Sequence, residues 1–214
     1  MKKLILSSVA MLLVMGSCKK AEDKALDTGT TNSDSIAVKE EPAVTPMDSA
    51  TMAQAWKEFM TPGRVHEMFA NDNGRWNVAM KVWMAPDAPP AEQTMTAESR
   101  MILGGRYQEM RHTGEFMGEK FEGISTMGYD NASKKIVSSW IDNMGTGIMY
   151  MTGDFDGNSK MVELKGEVTD PVTKKTKTVR ETYSIVDDKT RKVEMYDMTE
   201  DGKEYKSMEI VMTR

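Results

Sequence analysis

From Gly74 to the C-terminus the chain alternates apolar and polar residues with a period of two. Such alternation sets one face of a strand against a core and the other toward solvent. The clearest stretch is 121–144. There Phe121, Gly123, Ser125, Met127 and Tyr129 share one face, Asp130-Asn131-Ala132-Ser133-Lys134 turns the chain, and Ile136, Ser138, Trp140 and Asp142 share a face of the return run. An Asx-rich turn between two alternating runs predicts a β-hairpin. The same period predicts strands at 75–84, 94–103, 106–116, 148–155, 161–169, 178–186, 192–198 and 204–212. In the first of them Trp76, Val78, Met80, Val82 and Met84 form the apolar face. Pro86, Pro89 and Pro90 exclude the loop 85–93 from any sheet interior, because proline has no N–H to give a ladder. Ten strands with evenly spaced turns and no crossover helix predict an all-β fold, a single up-and-down antiparallel barrel of about ten strands. Closure would remove the exposed edges that an open sheet of this size carries. A two-sheet sandwich is the competing arrangement.

Ahead of the strands the period is helical. Met52, Ala55, Trp56, Phe59 and Met60 fall on one face of a helix that Asp48 or Ser49 can cap, and Thr61-Pro62-Gly63 breaks it. A second short helix carries Val65, Met68 and Phe69 on one side and ends at Asn71-Asp72-Asn73-Gly74. These short helices are placed to plug one end of the barrel.

The first 47 residues are of another kind. Lys2 and Lys3, an apolar run from Leu4 to Met15 and the small residues Gly16-Ser17 predict an export signal, with a run too short for a permanent span. The sole cysteine of the chain, Cys18, follows directly, as in the lipobox of bacterial lipoproteins. That resemblance implies cleavage before Cys18 and lipidation of its sulfur, with several acyl chains giving a stable anchor. Residues 19–47 are polar and lack aromatics, so they predict a disordered tether with a reach of about 30 Å. The expected organisation is a signal peptide over 1–17, a lipidated cysteine and tether over 18–47, and a barrel domain over 48–214 with a helical segment at 48–73. The expected location is the cell envelope, anchored at the outer membrane and facing the periplasm or the surface.

Composition narrows the chemistry. The net charge is −5 with signs mixed and no basic block, which argues against nucleic acid as a partner. Methionine is abundant, at 22 of 214 residues, but it is spread over nearly every strand. Dispersed thioethers read as adaptable core filler or as the lining of a permissive apolar pocket, not as a copper site. The segment 154–158 is similar to a calcium loop, yet Lys165 stands where the twelfth-position glutamate belongs. No nucleophile elbow occurs, and neither His66 nor His112 has an identifiable nucleophile. No residue is assigned a catalytic role, and no metal or cofactor is expected.

The segments 62–76 (PGRVHEMFANDNGRW), 99–109 (SRMILGGRYQE), 121–142 (FEGISTMGYDNASKKIVSSWID) and the region 170–188 together resemble the bacterial domain of unknown function 1579. The resemblance implies a lipocalin-like or nitrobindin-like barrel and brings no established activity. Nitrobindin-like barrels hold haem iron through a histidine on a late strand. The last two predicted strands have none, so that ligand does not carry over.

A barrel of this size has room for a small ligand. If the faces bearing Tyr107, Trp140 and Tyr183 point inward, Glu109, Arg111, Asp142 and Glu181 lie inside with them. Arg111 would then pair with Glu109 or Glu181 as a polar floor, since buried charges need partners. The candidate pocket is Tyr107, Glu109, Arg111, Tyr129, Trp140, Asp142, Glu181 and Tyr183. The expected function is binding of a small apolar or amphipathic ligand by an exported lipoprotein. The alternatives are an isomerase or hydrolase using interior carboxylates, and a structural or protein-interaction protein of the envelope.

Overall fold

The computed structural model describes residues 48–214 except 156 and 200. The expected export signal, lipidated Cys18 and tether lie outside the described residues. Two helices come first, α1 (Ser49–Met60) and α2 (Arg64–Ala70). Ten strands follow: β1 (Gly74–Val82), β2 (Ala91–Ile102), β3 (Tyr107–Phe116), β4 (Glu119–Asp130), β5 (Lys135–Asp142), β6 (Met149–Asp154), β7 (Met161–Thr169), β8 (Thr176–Asp187), β9 (Thr190–Met198) and β10 (Glu204–Thr213). Each strand pairs antiparallel with its sequence neighbours, and β1 pairs with β10, so the sheet closes as an up-and-down barrel.

Local chemistry sets the turns. Between β3 and β4 only Met117 and Gly118 intervene, both at positive φ (53° and 85°). That is the geometry a two-residue hairpin needs to match strand twist. Asp130 closes the β4–β5 turn by accepting from the Ala132 N–H at 2.8 Å and from the Ser133 hydroxyl at 2.6 Å. The β1–β2 loop is shorter than expected. Pro90 is its last proline, and beyond it Ala91, Glu92 and Gln93 pair with Val82, Lys81 and Met80. Strand β1 accordingly ends at Val82, and Met84 is exposed rather than part of the core face.

The core is the barrel's inner face. Trp76, Ile136 and Leu164 have no measurable exposure, and Met151 has 1%. Helix α2 closes the end at which β1 begins, burying Val65, His66 and Phe69. It is fixed there by a hydrogen bond from the Gln108 amide to the Phe69 carbonyl at 2.8 Å. The Trp76 indole likewise donates to the Asp72 carbonyl at 2.8 Å. Helix α1 is different, because none of its residues is buried.

Candidate functional site

On β4 and β5 the expected phase holds. Phe121, Gly123 and Met127 are buried, and Ser125 pairs across the ladder with Trp140. The Trp140 ring lies over Gly123, where an added Cβ would sit 2.5 Å from the indole, so only glycine leaves that space. The ring stacks on Phe121 at 6.3 Å between centroids and meets the edge of His112 at 5.2 Å. Its Nε1–H donates to Asp142 Oδ2 at 2.6 Å. The other carboxylate oxygen of Asp142 accepts the N–H groups of Met144 and Gly145, which ties the loop after β5. His112 is 7% exposed, and burial pushes its imidazole down to about 4. It is therefore neutral at physiological pH.

The opposite wall comes from β7 to β10. Leu164 pairs with Glu181, Glu181 with Met195, Met195 with Met208, and Met208 with Val82. One carboxyl thus stands in a row of apolar side chains. No described group hydrogen-bonds or ion-pairs with Glu181, and burial alone pushes its carboxyl up to about 7. Five strand steps separate β8 from β3 in either direction round the ring, so the Glu181 wall faces the His112 wall across the lumen. Ser125, Ser138, Trp140, Glu181, Met195 and Met208 all point inward and are only half-buried. An interior lined by side chains that still meet solvent is not packed solid. Toward the end away from α2, Lys177 of β8 and Asp197 of β9 pair at 2.5 Å. A surface hollow of about 460 Å³, lined by Lys134, Phe155 and Val162 among others, is widely open to solvent and contains none of these residues.

Three of the eight sequence candidates point outward. On β3 the inward face is Gln108, Met110 and His112, while Tyr107 and Arg111 are exposed. Tyr107 lies against Gly128, its cross-strand partner, whose missing side chain leaves a shelf for the ring on the outer wall. Glu109 accepts from Arg100 and Arg111, each at 2.9 Å, also outside. The expected interior Arg111 floor is therefore absent. Tyr129 and Tyr183 do point inward, but at the end that α2 closes. Tyr129 meets the edge of His66, and the Tyr183 hydroxyl donates to Asp72. Trp140, Asp142 and Glu181 remain as lumen residues.

The buried ion pair of the interior is one the pattern did not single out. Arg191 of β9 meets Asp72, in the turn after α2, at 2.6 Å, with both side chains 4% exposed. Arg191 also donates to the carbonyls of Asp187 and Thr190 and lies over the Trp76 ring at 5.3 Å. In the sequence Asp72 reads as one of the polar residues that end the second helix. Its burial follows from the chain turning inward toward Trp76, which no local signal announces.

Residues 61–214 match the sequence model of the family described as protein of unknown function DUF1579. The chain belongs to the DUF1579 family. The matched stretch takes in α2 and all ten strands of this DUF1579 barrel and leaves α1 outside it. No curated protein matches the chain. Among solved structures, a redesigned β-barrel aligns at 10% identity over 71% of this chain and 95% of its own, with a TM-score of 0.36. At that level the likeness carries no argument.

Proposed function

We propose that this DUF1579 protein is a lipid-anchored protein of the cell envelope whose barrel binds a small amphipathic ligand. The observation that carries the reading is Glu181. A carboxyl set among Leu164, Met195, Met208 and Val82 with no described partner leaves hydrogen-bonding capacity unused inside the protein. The side chain is half-buried, so in an apolar lumen that solvent still reaches, it is placed to hydrogen-bond a polar group of a bound molecule. The ligand's apolar body would lie against the methionines and Trp140, and a donor group would reach Glu181. Lipidation at Cys18 and the tether over 19–47 are part of the same proposal and rest on the sequence.

Native mass spectrometry of the full chain extracted from membranes tests both parts. The expected result is acylation at Cys18 and a small co-purifying mass, with uptake of the neutral probe N-phenyl-1-naphthylamine. Filling the lumen with Ser138→Phe abolishes that uptake. A chain without co-purifying mass whose probe uptake is the same in Ser138→Phe would overturn the binding reading.

The second reading, an enzyme using interior carboxylates, is favoured by the same residue, because an acid that titrates near neutral pH suits proton transfer. It is weakened by Glu109 lying outside and by Asp142 already serving Trp140 and the following loop.

A further inference from the structure

Helix α1 presents an apolar stripe that nothing in the barrel covers. Met52, Trp56, Phe59 and Met60 follow the spacing of one helical face and are 46%, 61%, 48% and 52% exposed. Trp56 and Phe59 touch edge to face at 5.8 Å, so the two rings form one surface. The charged residues of the helix, Lys57 and Glu58, lie beside the stripe rather than in it. The stripe is also held in a fixed place. The Asn131 amide donates to the carbonyls of Glu58, Phe59 and Thr61 at 3.0, 3.2 and 2.8 Å, and Arg106 donates to the carbonyl of Met60 at 2.8 Å. The C-terminal turn of α1 is thereby clamped to the β2–β3 and β4–β5 turns, on the end of the barrel that α2 closes.

We propose that the apolar face of α1 docks in the interfacial layer of the bilayer to which Cys18 tethers the chain, so that the α2-closed end of the barrel faces the membrane and the opposite end faces away. The inference rests on the lipid anchor proposed above. Only 29 residues, 19–47, separate Cys18 from Asp48, so α1 is the first described element after the anchor. A tether with a reach of about 30 Å holds the helix at high effective concentration near the lipid surface. Tryptophan and phenylalanine gathered on one face of a helix suit the headgroup boundary. A second copy of the chain is a poorer occupant. The exposed stripe offers on the order of 400 Å², about half of what one side of a standard protein interface buries. The family match begins at Thr61, so α1 lies outside the matched stretch.

The chain from Cys18 onward, the form that the proposed cleavage leaves, is used. Its sole cysteine is coupled to a maleimide-headgroup lipid in phosphatidylethanolamine/phosphatidylglycerol vesicles, and tryptophan quenching by spin-labelled lipids is recorded. The expected result is a quenched component that disappears in Trp56→Phe and in the double variant Met52→Asp, Phe59→Asp. These positions are exposed, so folding is preserved, and the barrel's near-UV circular dichroism serves as the check. Quenching equal in the native chain and Trp56→Phe overturns the proposal. So does a vesicle-free dimer that the double variant dissolves, which would assign the stripe to a second copy. An unacylated Cys18 in chain recovered from membranes overturns the tether instead, which tells the two failures apart.

Discussion

Asp72 and Arg191 meet at 2.6 Å with both side chains almost wholly buried, joining the turn after α2 to β9. Removing one partner from a buried pair strands the other charge without water, which costs about 3–5 kcal/mol. Here Asp72→Ala also deprives the Tyr183 hydroxyl of its acceptor. We expect that variant to lose stability by about this amount in urea denaturation. The double variant Asp72→Leu, Arg191→Met should recover much of the loss, because a buried pair replaced by apolar side chains of similar size is often neutral. A double variant as unstable as the single would contradict the pairing.

Glu181 and His112 depend on pH in opposite senses. The folded Glu181 carboxyl holds its proton up to about pH 7, against an ordinary value of 4.5. Between those values the native state binds more protons than the unfolded chain, so stability falls as pH rises from 4.5 to 7. Glu181→Gln removes that slope. Its advantage over the native protein should grow from nothing near pH 4.5 to on the order of 2 kcal/mol at pH 8, reduced by the water that still reaches the side chain. An advantage that does not change with pH would count against the unpaired carboxyl.

His112 works the other way. Its folded imidazole stays neutral down to about pH 4, against an ordinary value of 6.5. The unfolded chain therefore binds the extra proton in between, and stability falls as pH drops from 6.5 to 4. Between pH 4.5 and 6.5 the two residues offset each other. Substituting Glu181 alone should unmask an acid-side loss that His112→Gln then removes, as read from urea midpoints across that range.

The outer-wall charges predict little. Glu109→Ala breaks its contacts with Arg100 and Arg111, whose side chains are more than half exposed, and should cost no more than about 1 kcal/mol. It should leave probe uptake unchanged. A large loss of uptake would return β3's outer face to the site.

Gly123→Ala tests the seat of Trp140. The added methyl would have to displace the indole, which breaks the 2.6 Å bond to Asp142 and the stack on Phe121. We expect a changed near-UV circular dichroism signal and a loss of about 1–3 kcal/mol. An unchanged spectrum would show that the ring does not rest there.

The number and order of the strands were legible because the period of two persists and every break carries a turn residue. The phase of a strand was legible only where its two faces differ in polarity. On β5 Trp140 and Ile136 against Val137 and Ser139 give a weak bias, and the structure follows it. On β3 one face carries Tyr107 and the other Met110 and, at its far end, Phe116, each among polar residues, and Tyr107 tips the reading the wrong way. What turns that ring outward is Gly128 on the neighbouring strand, a relationship that exists only once the register is set. Asp72 and Arg191 lie 119 positions apart, and nothing local marks them as partners. Glu181 was found by its face, while its isolation depended on what Leu164, Met195 and Met208 place around it.

The seam between β1 and β10 joins Val78 to Met212, almost the whole length of the barrel's own chain. Loop closure of that span comes before any reward from the contacts it makes, which is the signature of slow folding. During synthesis, N-terminus first, β1 has no partner on that side until β10 emerges. The barrel must therefore stay unclosed until then, with bare strand edges that invite pairing with other chains. A truncation of β10 alone would leave both edges bare permanently.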